Sequence, residues 1–179
     1  MTMRRIFRAA WWVPLALAAI AAAVSAPVPT NAAGAPSEGL VCTSSASASF
    51  VLTAKTGYVT TPDLNSVFMW SYANGNGNFQ YPGPFLCVNE GDRVTITLRN
   101  TLPAPTSIVF PGITGVQTDS APAQPDPATQ SLTKAAAANT GSVTYTFTAG
   151  KAGTYTYESG TDPQEQVRMG LVGALIVRP

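Results

Sequence analysis

Two stretches of strict alternation, Arg93–Asn100 (RVTITLRN) and Ser142–Thr148 (SVTYTFT), restrict what this chain can fold into more than anything else in it. In the first, Val94, Ile96 and Leu98 fall on one side, and Arg93, Thr95, Thr97 and Arg99 on the other. In the second, Val143, Tyr145 and Phe147 share one face. A period of two with one wet face is the pattern of an antiparallel strand buried on one side. Shorter β candidates surround this pair: Phe50–Thr53, Ser66–Tyr72, Phe85–Val88, Thr106–Phe110, Thr154–Glu158 and the nearly all-apolar Gly170–Val177. Turn chemistry separates them, at Asn74–Asn78 (NGNGN), Pro82-Gly83-Pro84, Asn89–Asp92 and Ala149–Gly153, where Asn, Gly and Pro supply the backbone angles a turn needs. Thr154–Glu158 is expected to pair with the strand that precedes it across the last of these turns. Pro111–Thr140 reads as a long surface excursion with a helical turn around Ser131–Ala138. No strong amphipathic helix and no internal repeat is visible. About eight short strands at this spacing predict a sandwich or barrel with Greek-key connections.

The N-terminus has the layout of a secretory signal. Arg4, Arg5 and Arg8 form a positive n-region, and Ala9–Val24 is apolar apart from Pro14. Small residues follow at Val24-Ser25-Ala26 and at Asn31-Ala32-Ala33; Pro27 hinders a cut at the first, which places cleavage near Ala32 or Ala33. Arg4-Arg5 followed by Phe7 fits a twin-arginine signal, and equally an ordinary charged n-region. The organisation expected is a signal peptide over 1–33, a Ser/Ala/Pro-rich, weakly ordered lead-in over 34–49 and one domain over 50–179. The apolar run is about the minimum length for a membrane span, but its alanine content and the small residues after it favour removal. No later stretch approaches that length, so no span remains after signal removal. The destination expected is the periplasm or the extracellular space.

Removing the first 33 of 179 residues leaves 146, enough for one core. Ten Lys and Arg less three signal arginines leaves seven against nine Asp and Glu, a net of −2. With no basic stripe, nucleic acid is not an expected partner. Cys42 and Cys87 are the two cysteines; in an oxidising compartment such a pair most often forms a disulfide, the alternative being two free thiols.

The chain contains no histidine. It cannot build an imidazole copper or zinc site or a Ser-His-Asp arrangement. The remaining constellations have plainer readings. Glu158, Asp162 and Glu165 could serve as paired carboxylates, but read better as a solvated acidic loop partly matched by Arg168. Met69 and Met169 could hold copper(I), but suit core packing. Trp70, Tyr72, Phe79 and Tyr81 could stack on a sugar, but at this density in strands aromatics are usually core. Asn74–Asn78 lacks the spacing of a dinucleotide loop. No catalytic or cofactor-binding residue is identified.

The order of several segments resembles the first cupredoxin (plastocyanin-like) domain of multicopper oxidases. They are Tyr81–Pro84, Val88–Asp92, Val94–Asn100, Thr106-Ser107-Ile108, Tyr145-Thr146-Phe147, Ala152–Tyr155 and Gly170–Val177. The resemblance implies a cupredoxin-like Greek-key β-sandwich, copper binding and oxidoreductase chemistry. In that family the first domain donates two His-x-His pairs to the type 2/type 3 copper cluster. The matching positions here are Val109 and Pro111, then Glu158 and Gly160. A mononuclear blue-copper site needs two histidines and a cysteine thiolate; Cys87, followed by Val88–Asp92, is better placed as a disulfide partner.

The expectation is therefore an exported, copper-free structural or interaction domain that docks to other cupredoxin domains or to another exported protein. The alternative is a copper-binding oxidoreductase component whose metal ligands lie on other domains or chains. A weaker third reading is a carbohydrate-binding sandwich.

Overall fold

The computed structural model describes residues 42–179. The signal peptide read over 1–33, and the lead-in up to residue 41, lie outside the described residues. Ten strands and one short helix follow in order: β1 (Thr43–Ser44), β2 (Ser49–Thr60), β3 (Ser66–Asn74), β4 (Leu86–Asn89), β5 (Arg93–Asn100), β6 (Gln117–Thr118), β7 (Ala121–Pro122), β8 (Ser142–Thr148), β9 (Gly153–Glu158), α1 (Pro163–Met169) and β10 (Val172–Arg178). They form two sheets, one of order β1-β4-β10-β9 and one of order β3-β2-β5-β8-β6-β7. Consecutive strands such as β4 and β5 lie in different sheets, so the chain crosses between layers as a Greek-key sandwich does. The all-β sandwich expected from the alternation and the turn spacing is the one observed.

The two alternating segments form the middle of the larger sheet. β5 and β8 pair antiparallel, setting Val94 opposite Phe147, Ile96 opposite Tyr145 and Leu98 opposite Val143. All six side chains are buried in the shared core, and the threonines and arginines between them face outward. β2 adds Phe50, Leu52 and Ala54, β3 adds Trp70 and Tyr72, and the smaller sheet closes the core with Leu86, Val88, Tyr157, Leu175 and Val177. Gly173 lies directly opposite Tyr157 in the β9–β10 pair, and a Cβ there would collide with the Tyr157 ring. The glycine thus makes room for a buried tyrosine whose hydroxyl donates to the Pro84 carbonyl at 2.7 Å.

Four local expectations are corrected. β2 runs on from Thr53 to Thr60, because nine register pairs with β3 carry the ladder through the polar residues. β9 pairs with β10 and not with β8. The Ala149–Gly153 corner is tied to the β4–β5 turn by Gly91 N–H to Ala149 O (2.7 Å) and Ala149 N–H to Asp92 O (2.9 Å), which sends the chain across to the other sheet. Thr106–Phe110 makes only isolated bridges, Thr106 with Ala136 and Val109 with Glu158. Ser131–Ala138 forms no helix; Ser131 bridges Asp126 and Thr161, and Ala136 meets Thr106. The helix falls instead at α1, where Asp162 caps the N-terminus, Pro163 opens the first turn and Gly170 ends it in the left-handed region. That is the Asx–Pro…Gly punctuation of a helix. Among the described residues, no helix is long and apolar enough to cross a membrane.

Candidate functional site

The extended segment after β5 and the end of β9 meet at one end of the sandwich. Val109 N–H donates to Glu158 O at 2.8 Å, and Glu158 N–H donates back to Val109 O at 3.1 Å. Two residues on, Gly160 is buried against Val109: a Cβ on it would lie 2.6 Å from Val109 Cγ1, 3.0 Å from Ser107 Oγ and 3.4 Å from Leu132 Cβ. Three of the four positions singled out by the resemblance, Val109, Glu158 and Gly160, are thus brought together. Pro111 lies beyond them, exposed on the following turn.

Around this junction lies a network of buried hydroxyls. Ser107 Oγ and Ser131 Oγ are 2.7 Å apart. Thr161 Oγ1 reaches Ser131 Oγ at 2.8 Å and Ser107 Oγ at 3.0 Å. Ser159 Oγ donates to Gln166 Oε1 at 2.7 Å and accepts from Thr161 N–H at 3.1 Å. Thr106 Oγ1 also donates to Gln166 Oε1, while Gln166 Nε2 donates to Pro105 O at 2.9 Å. Every one of these side chains is buried. Bonding to one another spares these hydroxyls the cost of burial unpaired, about 1–3 kcal/mol each. The network therefore holds the junction in place. It was not legible beforehand: its members are spread along the chain among many other Ser and Thr residues, and Gln166 sits in a short polar helix.

The other candidates separate. Asp162 Oδ1 accepts from Glu165 N–H at 3.4 Å as a helix cap. Asp162 and Glu165 line an open hollow of about 350 Å³ with Thr161 and Gln166, and Glu158 is not part of it. Arg168 makes no ion pair with any of the three; the one ion pair among the described residues is Lys134 with Asp119 at 2.7 Å. There the Lys134 ammonium holds the Asp119 carboxyl below its ordinary value. Met169 packs against the core and Met69 is half-buried in β3. Trp70 and Tyr72 are core residues, and Phe79 lies over Gly57; of the four aromatics considered for stacking, only Tyr81 is largely exposed. Cys42 and Cys87 form a disulfide with Cα atoms 5.5 Å apart, joining the start of the described chain to β4.

This fold, with its two sheets and its loop junction at one end, defines a cupredoxin-like sandwich. The multicopper oxidase family model matches residues 68–179, and the chain belongs to that family. It is 31% identical over 141 residues to a laccase of Aspergillus fumigatus, covering 74% of this chain and 23% of that protein. It is 31% identical over 118 residues to Laccase-1 of Emericella nidulans, covering 61% of this chain and 18% of that one. The chain thus spans about a quarter or less of the curated relatives it matches. Among solved structures, a multicopper oxidase from Campylobacter jejuni, described as a metallo-oxidase, superposes with a TM-score of 0.55 at 26% identity, over 73% of this chain and 25% of that one. A McoA multicopper oxidase variant from Aquifex aeolicus gives a TM-score of 0.60 at 21% identity, over 78% and 29%, a likeness of fold.

The family implies copper, and the donor set at the junction does not fit it. Copper(II) at such sites is held by imidazole. Val109, Pro111 and Gly160 offer no side-chain donor, Glu158 offers one carboxylate, the hydroxyls of Ser107, Ser131, Ser159 and Thr161 are hydrogen-bonded within the network, and the buried Thr133 hydroxyl nearby is neutral and no substitute for imidazole. Among the described residues no cluster of three or more His, Cys, Asp or Glu is arranged to hold a metal.

Proposed function

We propose that this chain is an exported, copper-free cupredoxin-like module that acts through its surface, docking to another cupredoxin domain or exported protein, and does not itself reduce dioxygen. One observation carries this reading. The space a side chain at Gly160 would need is taken by Val109 Cγ1 and Ser107 Oγ, so one of the four positions where the resemblance expects metal ligands is packed as protein interior. Packing of that density tolerates no added side chain without strain. Dioxygen uptake by the purified chain after copper loading and desalting, with a phenolic electron donor, tests it. Uptake no greater than the buffer's is expected; copper-dependent uptake that survives desalting overturns it.

The share of the relatives covered favours a second reading. A chain matching about a quarter of a laccase could be the part of an oxidoreductase whose copper ligands lie on other domains or chains. The intact mass of the product in its native host separates the two. A product well above 18.6 kDa that carries copper supports the second, and a copper-free product at or below that mass supports the first.

A further inference from the structure

The β2–β3 hairpin overhangs the sandwich. Within the sandwich, Ala54, Trp70 and Tyr72 on its inner face are buried in the core. Further out the same face continues through Tyr58 and Phe68, which sit directly opposite each other with ring centroids 5.5 Å apart. Among the described residues no second sheet covers them: Tyr58 is 68% and Phe68 46% exposed, and Val67 on the opposite face of the ribbon is also 46% exposed. No residue between Lys55 and Met69 belongs to the buried core cluster. A two-stranded ribbon with an apolar face is marginal until a further strand joins it.

Among the described residues β3 is also the free edge of the larger sheet, and the phase of its ladder shows which backbone groups are open. Thr61 N–H donates to Asn65 O at the hairpin turn, and Gly75 N–H donates to Val51 O at the other end. Closely bonded pairs alternate along an antiparallel ladder, so Val67 and Met69 turn their backbone groups toward Val59 and Gly57 of β2. Ser66 and Phe68 therefore turn theirs outward. At Trp70 the edge is covered, because Gly170 at the end of α1 lies against the Trp70 carbonyl. The open edge is Ser66–Met69, and from Ser66 to Asn74 there is no charged residue, whereas exposed edges that stay single usually carry one.

We propose that this edge pairs with the same edge of a second copy of the chain. A two-fold axis through Val67 sets Ser66 against Phe68 of the second copy and Phe68 against Ser66 of the second copy, as hydrogen-bonded pairs. Val67 then faces Val67 of the second copy across the axis, joining the two large sheets into one. The uncharged edge lets two copies meet without repulsion. A lipid surface suits the ribbon less well. Asp63, beside the exposed Leu64 at the tip, is held ionised by hydrogen bonds from Thr61 and Asn65, and a carboxylate resists entry into lipid.

Light scattering of the purified chain over a wide concentration range tests the pairing. The mass is expected to approach twice that of the chain as concentration rises. V67K, which sets two lysines on the axis, is expected to stay at the chain mass with unchanged circular dichroism, while L132K, at an exposed site remote from the hairpin, dimerises like the parent. V67C is expected to form a disulfide-linked dimer under mild oxidation, since facing non-hydrogen-bonded residues stand about 4.5 Å apart. A chain that stays monomeric at every concentration, a dimer indifferent to V67K, or a monomer that floats with lipid vesicles would overturn the proposal.

Discussion

Val109 occupies the space that any side chain at position 160 would need. The contact, 2.6 Å from Val109 Cγ1 to a Cβ on Gly160, is backed by the paired hydrogen bonds between Val109 and Glu158. Gly160→Ala is expected to cost about 1–3 kcal/mol as overpacking, and Gly160→His more. Combined with Val109→Ala, Gly160→Ala is expected to cost less than the two changes summed, with a coupling of about 0.5–3 kcal/mol. Urea denaturation of the single and double variants measures it; strict additivity would mean the two positions do not share one space.

Asn100 is buried under the excursion loop. Its Nδ2 faces the carbonyls of Ala104 (2.8 Å), Ala137 (3.0 Å) and Ala136 (3.2 Å), and its Oδ1 accepts from Leu102 N–H at 2.9 Å. Asn100→Asp replaces the donor by an oxygen facing three carbonyls and is expected to destabilise by at least about 3 kcal/mol. The loss should shrink at acid pH, where a protonated carboxyl can donate again. A midpoint within error of the parent at neutral pH would show that the loop is not held there.

The Cys42–Cys87 bond closes a separation of 45 residues, which in the chain-entropy view stabilises by about 4 kcal/mol. Cys42→Ser with Cys87→Ala is expected to lower the denaturation midpoint markedly and to release β1 from β4, where Ser44 pairs with Cys87. Amide exchange at Thr43 and Ser44, compared between parent and variant, checks the second point.

Tyr72, Tyr145 and Tyr157 are buried, and burial raises the pKa of each well above the ordinary tyrosine value. Their hydroxyls donate to the carbonyls of Ser107, Lys134 and Pro84. A folded-state pKa above the unfolded one contributes stability that is complete below about pH 10 and is lost as pH rises further. Phenolate absorbance from these three is expected to appear together with loss of the β-sheet circular dichroism signal in one alkaline transition. Full phenolate absorbance from a still-folded chain would contradict their burial.

The sequence was readable where one period governed a whole element. β5 and β8 stand at the residues expected because their alternation matches the one-sided burial of a sheet centre. Reading failed where tertiary contacts decide. β9 leaves β8 for β10 because hydrogen bonds to Gly91 and Asp92 redirect a corner whose residues alone read as a hairpin turn. Thr106–Phe110 looks like a strand by composition but meets only single bridging partners. α1 was hidden by its brevity, although Asp162, Pro163 and Gly170 spell its ends. At the junction, Val109, Glu158 and Gly160 were legible through family resemblance, whereas the hydroxyl network around Ser107, Ser131 and Thr161 joins residues too distant in sequence to form a pattern.

Copper bound per chain, measured on the purified protein after copper loading and desalting, with an electron paramagnetic resonance spectrum of the same sample, tests the central claim most directly. Near-zero copper and a silent spectrum are expected from a junction that offers Glu158 alone as a donor. One tightly held copper per chain with a resolved copper(II) signal would contradict the copper-free reading and make the oxidoreductase reading the better one.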